Sequence, residues 1–405
     1  MRTGRPADKW APVEPPVSLP CKGLAVDDEE MARRIAGDLQ SVLDAIHRTG
    51  TDIDAVLLSG SLGRSEATTV RRREGVQLLS DYDLFVVTDA VSDFGFFRRL
   101  ETPLAGQLWG SHASLGLLST SGLPAIPASV WSYDVRYGSR ILEGDPATLD
   151  RMPSYSPTDI PIWEGLKLAF NYSGVLLAAL EAADPEPGHP PADPTELRSS
   201  LVRLAYRLGD LLILLEGRYH HLLSRRRALL PTVRAFEELD EADRRLIVWG
   251  YEEKLRPQAF WTFDPDETMT RLFPLTEELL RHSLRHYLGC AEPELPVLLA
   301  EYRRGFPASP PARSSLRQFG ARLFGRRGSD RRELAGSADR FHYILSVVPL
   351  ALLASSGIPN SALYREEVRR LIGGVACAGS ARGASDASWR AVRAEVLRLW
   401  KAVCL

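Results

Sequence analysis

The sequence predicts an α+β fold, with a small sheet-containing domain first and a mostly α-helical domain after it. Three observations support this prediction. Short apolar, strand-like runs are confined to residues 53–145, helical periodicity dominates from residue 158 onward, and 405 residues exceed one ordinary core. Apolar residues make up 44% of the chain and charged residues 25%, as in ordinary globular proteins.

The chain divides into five segments where its composition changes. The prediction is an irregular N-terminal tail over 1–26, a sheet-containing domain over 27–150, a helical domain over 158–302, an arginine-rich flexible linker over 303–334 and C-terminal helices over 335–405. Prolines block regular structure in the tail, and glycine, serine and arginine dominate the linker. Each boundary therefore follows from a change in residue type.

In the sheet-containing domain, a helix with an apolar stripe is predicted from Asp27 or Asp28 to Gly50. Residues 71–75 form a polar insert, and Ser129–Tyr137 alternates in the manner of a half-buried strand, with Asp134 on the polar face. The other predicted elements are the strands Ile53–Ser59, Asp81–Thr88 and His112–Leu118 and the helix Asp93–Leu108.

The second half of the chain has apolar residues at helical spacing in seven stretches. These predicted helices are Ile162–Ala182, Thr195–Tyr219, Glu238–Leu255, Pro265–Leu288, Ala338–Ser355, Ala362–Ile372 and Ala387–Val403.

Two motifs in the sheet-containing domain carry chemical information. Residues 57–66 read Leu-Leu-Ser-Gly-Ser-Leu-Gly-Arg-Ser-Glu, a strand end followed by a Gly-Ser turn. Asp81 and Asp83 begin the next long apolar run, and alternation along a strand points both carboxylates to the same side. Two neighbouring carboxylates repel each other unless a cation lies between them, and oxygen ligands suit Mg²⁺. The pair therefore predicts a magnesium site.

A Gly-Ser turn followed by Asp-x-Asp on the next strand resembles the signature of the DNA polymerase β-like nucleotidyltransferase superfamily. The longer form here, Gly-Ser-x-Gly-Arg-x-Glu over 60–66, is similar to the turn of bacterial nucleotidyltransferases that modify proteins or small molecules. The resemblance covers roughly residues 50–145 and implies a small mixed-sheet nucleotidyltransferase domain over 27–150.

That resemblance implies transfer of a nucleoside monophosphate from an NTP, with ATP expected, to an unidentified small-molecule or protein acceptor. It implies that Asp81 and Asp83 bind Mg²⁺ and take part in catalysis. The residues implied to bind the nucleotide are Gly60, Ser61, Gly63, Arg64 and Glu66. Glycine is needed there because the backbone must approach the phosphate oxygens closely.

The sequence departs from the family pattern at the third carboxylate. Family members usually carry it on a later strand, but His112–Leu118 contains no acid. Asp134 is the best substitute as a catalytic residue, with a salt bridge to Arg136 or Arg140 as the competing interpretation. Glu216, near the end of a predicted helix, is a weaker candidate for a base.

Two alternatives follow. A catalytically inactive nucleotide-binding or scaffold protein on the same fold would explain the missing acid. An RNA-directed transferase would require the basic stretch Arg303–Arg332 to line the cleft. The net charge of −2 gives no general attraction to nucleic acid, so nucleic acid is not an expected partner.

Composition predicts a cytoplasmic protein without membrane association. The four cysteines have no metal-ligand spacing, the N-terminus lacks a secretory pattern, and the longest apolar stretch, Tyr343–Ala354, is too short to span a bilayer. His282 and His286 lie at i, i+4 spacing, but no acidic third ligand accompanies them.

Overall fold

The computed structural model describes residues 28–72, 75–91, 95–104, 106–109, 112–183, 194–257, 264–305, 338–376 and 388–404. The chain forms two compact units. The first consists of 1–156, 220–223 and 255–259, and the second of 157–219, 224–254 and 260–405. The predicted tail over 1–26, and the predicted linker from position 306 onward, lie outside the described residues.

The first unit is built on a mixed sheet. Its strands are β1 (Ala55–Leu58), β2 (Thr69–Arg72), β3 (Gly75–Leu78), β4 (Tyr82–Val87), β5 (Ala113–Leu118) and β6 (Arg140–Gly144). Four of them form one sheet in the order β5-β4-β1-β6, in which β4 and β5 are parallel and the other pairs antiparallel. A small mixed sheet followed by helices confirms the predicted α+β class at this level.

The helices of this unit are α1 (Asp28–His47), α2 (Gly60–Gly63), α3 (Gly95–Leu104) and α4 (Val130–Gly138). The buried stripe of α1, which includes Ile35 and Leu39, shares one apolar core with Val56 of β1 and Val86 of β4. Burial of this shared core fixes the sheet, and with it the strand ends that carry the two motifs.

The predicted strand Ser129–Tyr137 is wrong, because this segment forms helix α4. Ser129 Oγ accepts a hydrogen bond from the Ser132 N–H at 3.0 Å, and Ser132 Oγ accepts one from the Ser129 N–H at 2.9 Å. This capping box supplies partners for two backbone donors that a helix start would otherwise leave unsatisfied. The polar residues of this segment have other roles than facing solvent from a strand. Ser132 takes part in the helix cap, and Asp134 makes an ion contact that is described below.

The predicted polar insert over 71–75 is also corrected. Strands β2 and β3 pair antiparallel as a separate hairpin, with Thr69 opposite Leu78. Its short strands and arginine-rich sequence gave no clear alternation, so the pattern did not indicate a hairpin.

The helices that follow are α5 (Ile162–Ala183), α6 (Pro194–Leu215), α7 (Leu223–Leu229), α8 (Arg234–Glu237), α9 (Glu241–Leu255), α10 (Pro265–Leu288), α11 (Leu295–Gly305), α12 (Ala338–Ala354), α13 (Ser361–Ala376) and α14 (Trp389–Cys404). The bounds of α10 agree with the prediction, and the other six predicted helices are present within a few residues. The sequence did not predict α7, α8 or α11. Pro194–Leu215 ends four residues before the predicted Tyr219, since Gly217 has a φ of 62°.

Helix α5 is the centre of the second unit. By length and composition alone it could cross a membrane. In the structure it packs against α6, α10, α12 and α14, as a core helix does. Trp400 of α14 lies against Gly174 and donates its indole N–H to Asn171 Oδ1 at 3.0 Å. The C-terminal helix is therefore part of this core.

Acid is expected to destabilise the protein through His342, which is buried in α12 with Nδ1 3.1 Å from the Tyr302 hydroxyl. Burial, with a smaller contribution from Lys167, lowers the pKa of His342 to about 3. Above pH ~6.5 the imidazole is neutral in both states; below it only the unfolded chain gains the proton. The contribution of His342 to the free energy of unfolding is thus fully present above pH ~6.5. It falls toward pH ~3 by about 1.4 kcal/mol per pH unit.

Urea unfolding near pH 7, 6 and 5 would measure this slope. His342→Phe cannot titrate and should flatten the dependence above pH ~5, where most carboxylates are still ionised. His282→Phe, at an exposed position on α10, should keep the wild-type slope. Equal slopes for His342→Phe and the wild type would contradict the prediction.

Candidate functional site

The Gly-Ser turn lies directly beside the second aspartate of the Asp-x-Asp motif. Strand β1 ends at Leu58, and the Ser59 N–H donates to the Asp83 carbonyl oxygen at 2.7 Å. Gly60 has a φ of 64°, and a β-carbon on it would collide with Asp83 Oδ2. Glycine is therefore required at this position for two reasons: the backbone conformation and the close approach of the Asp83 carboxylate.

Asp81 and Asp83 flank Tyr82 at the start of β4. Tyr82 is fully buried, and its hydroxyl donates to Asp38 Oδ2 at 2.6 Å. Because side chains alternate along a strand, this anchor on the core side leaves both aspartates on the opposite side, where each is half-buried. The structure thus places Gly60 against Asp83, with Asp81 on the same side of the strand.

Ser61 is held by Ser80, which lies outside both motifs. Its hydroxyl donates to Ser80 Oγ at 2.8 Å, and Ser80 Oγ also accepts the Thr68 N–H at 2.7 Å. Ser80 is buried and directly precedes Asp81. The Gly-Ser turn and the aspartate pair are therefore joined by a side-chain hydrogen bond as well as by the sheet. Its position next to the Asp-x-Asp motif was the only signal for Ser80 in the sequence.

Arg64, Glu66 and Asp134 form a second cluster in this unit. Arg64 Nε lies 3.7 Å from Glu66 Oε2, and Arg64 Nη1 lies 3.6 Å from Asp134 Oδ2. The three side chains are only 15%, 9% and 19% exposed, so this is not a solvated surface pair. Glu66 Oε2 also accepts the Leu223 N–H at 2.8 Å, which ties the segment 220–223 to the turn.

Asp134 Oδ2 lies 3.6 Å from Arg64 Nη1, so its partners include an arginine that the competing interpretation, a salt bridge to Arg136 or Arg140, did not name. Arg136 pairs with Asp150 at 2.8 Å. Arg140 donates Nε–H to the Gly63 carbonyl oxygen at 3.0 Å and also bonds Ser65 Oγ. Arg64 is therefore a partner of Asp134 that the sequence pattern did not indicate.

Gly63 is needed for packing. A β-carbon there would collide with the Leu58 carbonyl oxygen and lie 2.9 Å from that of Gly138. Gly138, at the end of α4, in turn lies against the aliphatic part of Arg64. These contacts fix the distance between the turn and α4, and they place Arg64 between them.

Strand β5 offers no acid at the position where the resembled family carries its third carboxylate. In the parallel β4–β5 register, Asp83 is opposite Ser114 and Phe85 is opposite Gly116. The Phe85 ring lies where a Gly116 side chain would be, and its edge meets Trp131 at a centroid distance of 5.4 Å. Aromatic packing therefore fills the space beside Gly116.

Glu216 has a structural partner within the second unit. Its Oε1 accepts the Arg234 N–H at 2.7 Å, and its Oε2 lies 3.4 Å from Arg218. The carboxylate thus supplies a partner for a free donor at the start of α8. This is a sufficient reason for an acid at that position.

Asp81 and Asp83 are the candidate metal ligands of this unit. Among the described residues, no group of three or more histidine, cysteine, aspartate or glutamate side chains converges as a metal site, and this includes His282 and His286. Two carboxylates suit Mg²⁺, which commonly takes one or two protein carboxylates and completes its shell with water and phosphate oxygens. Because Gly60 has no side chain, Asp83 Oδ2 lies directly against the Gly-Ser turn. This arrangement is compatible with such a ligand set.

Comparison with known proteins adds no family to this geometry: no family model, no curated protein and no solved structure matches the chain. What can be said about function therefore depends on the residues described above.

Proposed function

We propose that this chain is an Mg²⁺-dependent nucleotidyltransferase that transfers a nucleoside monophosphate from an NTP, with ATP expected, to a small-molecule or protein acceptor. One observation supports it above all. The Gly-Ser turn after β1 lies against Asp83, and Ser61 is hydrogen-bonded to the serine that precedes Asp81. A turn suited to binding phosphate thus lies beside a carboxylate pair suited to binding a cation, which supports a reaction at a phosphate.

The roles of the residues follow from this arrangement. Asp81 and Asp83 would hold Mg²⁺, which when bound offsets the negative charge of the triphosphate. The backbone N–H groups at the start of the turn would bind the terminal phosphates, because Gly60 carries no side chain to keep them away. The Ser61 hydroxyl would join them by exchanging its hydrogen bond to Ser80 Oγ for one to a phosphate oxygen. Catalysis of this kind depends mainly on positioning and electrostatics.

Arg64 supplies positive charge next to the turn. Glu66 and Asp134 hold it from two sides, so we assign both acids to positioning this guanidinium. In the proposed reaction a nucleophilic atom of the acceptor bonds to the α-phosphorus, the bond to the bridging oxygen breaks and pyrophosphate leaves. Solvent takes the acceptor's proton, since Asp134 is bound to Arg64.

The test is pyrophosphate release with Mg²⁺ and each of the four NTPs, comparing the wild type with Asp81→Asn/Asp83→Asn. Loss of both ligand charges should lower release by at least about 10³-fold, because charge stabilisation at the phosphate is usually the largest catalytic contribution. Asp150→Asn is a matched control, since Asp150 is exposed in the same unit and pairs only peripherally with Arg136. Label on the protein itself would indicate a protein acceptor.

Equal release by the double variant would overturn the proposal, as would the absence of Mg²⁺-dependent NTP binding by calorimetry.

The second candidate is a nucleotide-binding protein on the same fold without transfer activity. Strand β5 carries Ser114 and Gly116 opposite Asp83 and Phe85, and no acid, which favours this second candidate. It predicts Mg²⁺-dependent NTP binding, lost in the double variant, without pyrophosphate release with any acceptor tried.

The structure adds nothing in favour of an RNA-directed transferase. Of the basic stretch, only Arg303, Arg304 and Gly305 lie among the described residues. Arg303 lies 3.7 Å from Glu367, and Arg304 pairs with Glu301. Both arginines thus have acidic partners within the helical unit.

A further inference from the structure

A cluster of basic and aromatic residues lies within the second unit and includes none of the residues assigned to the nucleotide. The Arg207 guanidinium is 4.9 Å from the ring centroids of both Tyr172 and Tyr206. Its Nη1–H donates to Asp210 Oδ2 at 2.8 Å, and its Nη2 lies 3.5 Å from the Tyr172 hydroxyl. Its buried Nε has no hydrogen-bond partner among the described residues. Arg207 is thus fixed, with donor capacity left over.

Arg203 brings a second guanidinium to the same face of α6, at i, i+4 from Arg207. Like charges at this spacing destabilise a helix unless something offsets them. Asp210, the acid next to Arg207, is shared with Arg226 at 2.6 Å. Arg203 has no ion pair or hydrogen bond with any residue that the structure describes. This face therefore carries positive charge that the described acids do not neutralise.

The phenol of Tyr172 reports the same electrostatic field. Burial of its hydroxyl acts to raise its pKa, but Arg207, Arg203 and Lys254 lower it below the ordinary tyrosine value. The charges of Arg203 and Arg207 on α6 and of Lys254 on α9 thus act on one hydroxyl of α5, and Arg207 also contacts it. The field at that hydroxyl favours a negatively charged group.

We propose that Tyr172, Arg203, Arg207 and Lys254 form a binding site for a phosphate group. Arginine presents a planar fork of donors that matches two phosphate oxygens, lysine adds a point charge and a tyrosine hydroxyl can donate a further hydrogen bond. The rings beside Arg207 hold the fork in place before the ligand arrives, which reduces the entropy lost on binding. This site requires neither a nucleotide nor a divalent cation, and so is independent of the proposed transferase activity.

The experiment is titration calorimetry of the full chain at low ionic strength with EDTA, using inorganic phosphate and, separately, glycerol 3-phosphate. Arg203→Gln should weaken binding at least about tenfold, since a charge-assisted hydrogen bond contributes roughly that factor. Tyr172→Phe should weaken it several-fold with packing unchanged. Arg281→Gln is the matched control, because Arg281 is a partly exposed arginine of the same unit that lies 3.8 Å from Glu277.

The two probes distinguish the source of the phosphate. Tighter binding of glycerol 3-phosphate would identify an organic phosphate as the ligand class, and equal or weaker binding would identify the free ion. Because Arg203 lies at the half-exposed edge of the cluster, Arg203→Gln should fold normally, and its thermal unfolding would verify this. Absence of phosphate binding, or equal affinities for the wild type and a folded Arg203→Gln, would overturn the proposal.

Discussion

Gly60→Ala is expected to lower NTP-dependent pyrophosphate release by at least about 10²-fold while leaving the protein folded, because a small misplacement of a reacting group has that effect. The added methyl group would collide with Asp83 Oδ2 and displace the carboxylate proposed to hold Mg²⁺. It would also lie on the face of the turn proposed to contact the phosphates. Both the metal ligand and the phosphate cradle would thus be disturbed by one carbon atom.

Gly50→Ala separates this steric effect from the cost to the backbone. Gly50 has a φ of 68°, close to the 64° of Gly60, but a β-carbon there would have no atom within 4 Å. Both variants should lose about 1–2 kcal/mol of stability from a left-handed alanine. Only Gly60→Ala should lose Mg²⁺-dependent NTP binding and turnover, measured by calorimetry and pyrophosphate release. Equal activities of the two variants would show that Asp83 does not depend on Gly60.

The sequence was sufficient to predict strands β1, β4 and β5 and the motif contact because these depend on short-range patterns. An apolar run followed by Gly-Ser, and two aspartates before the next run, fix where β1 ends and β4 begins. Antiparallel pairing of β1 with β4 then places Leu58 opposite Leu84, which brings the two motifs to one end of the sheet. The proximity of Gly60 and Asp83 follows from that register.

The remainder of the site depends on contacts between distant residues, which no local pattern contains. The alternation of polar and apolar residues around Asp134 predicts a strand, yet the capping hydrogen bonds of Ser129 and Ser132 favour a helix. The ion pair between Arg64 and Asp134 joins residues seventy positions apart in sequence. Similarly, the ring of Phe85 over Gly116 depends on the parallel register of β4 and β5. A single sequence shows which residues could make such long-range contacts, but it does not show which of them contact each other.

The second unit has its own buried charge cluster, and Asp210→Asn is expected to destabilise the protein by about 3–5 kcal/mol. The Asp210 carboxylate is fully buried and accepts hydrogen bonds from Arg226 at 2.6 Å, Arg207 at 2.8 Å and the Tyr251 hydroxyl at 2.6 Å. Arg226 is itself only 2% exposed. Removal of the negative charge therefore takes the Asp210 counterion away from a buried guanidinium. Water cannot reach this guanidinium to compensate for the loss.

Urea unfolding at neutral pH would measure this loss, with Glu241→Gln as the control. Glu241 pairs with Arg245 at 3.8 Å on the exposed face of α9, where solvent screens the interaction, so no measurable change is expected. Arg226→Met in the Asp210→Asn background should recover part of the stability, because it removes the uncompensated charge while keeping most of the buried volume. A loss below about 1 kcal/mol for Asp210→Asn, the net worth of one ordinary hydrogen bond, would mean that other contacts compensate the charge of Arg226. The cluster would then be a solvated group of charges and not the buried anchor of α6, α7 and α9.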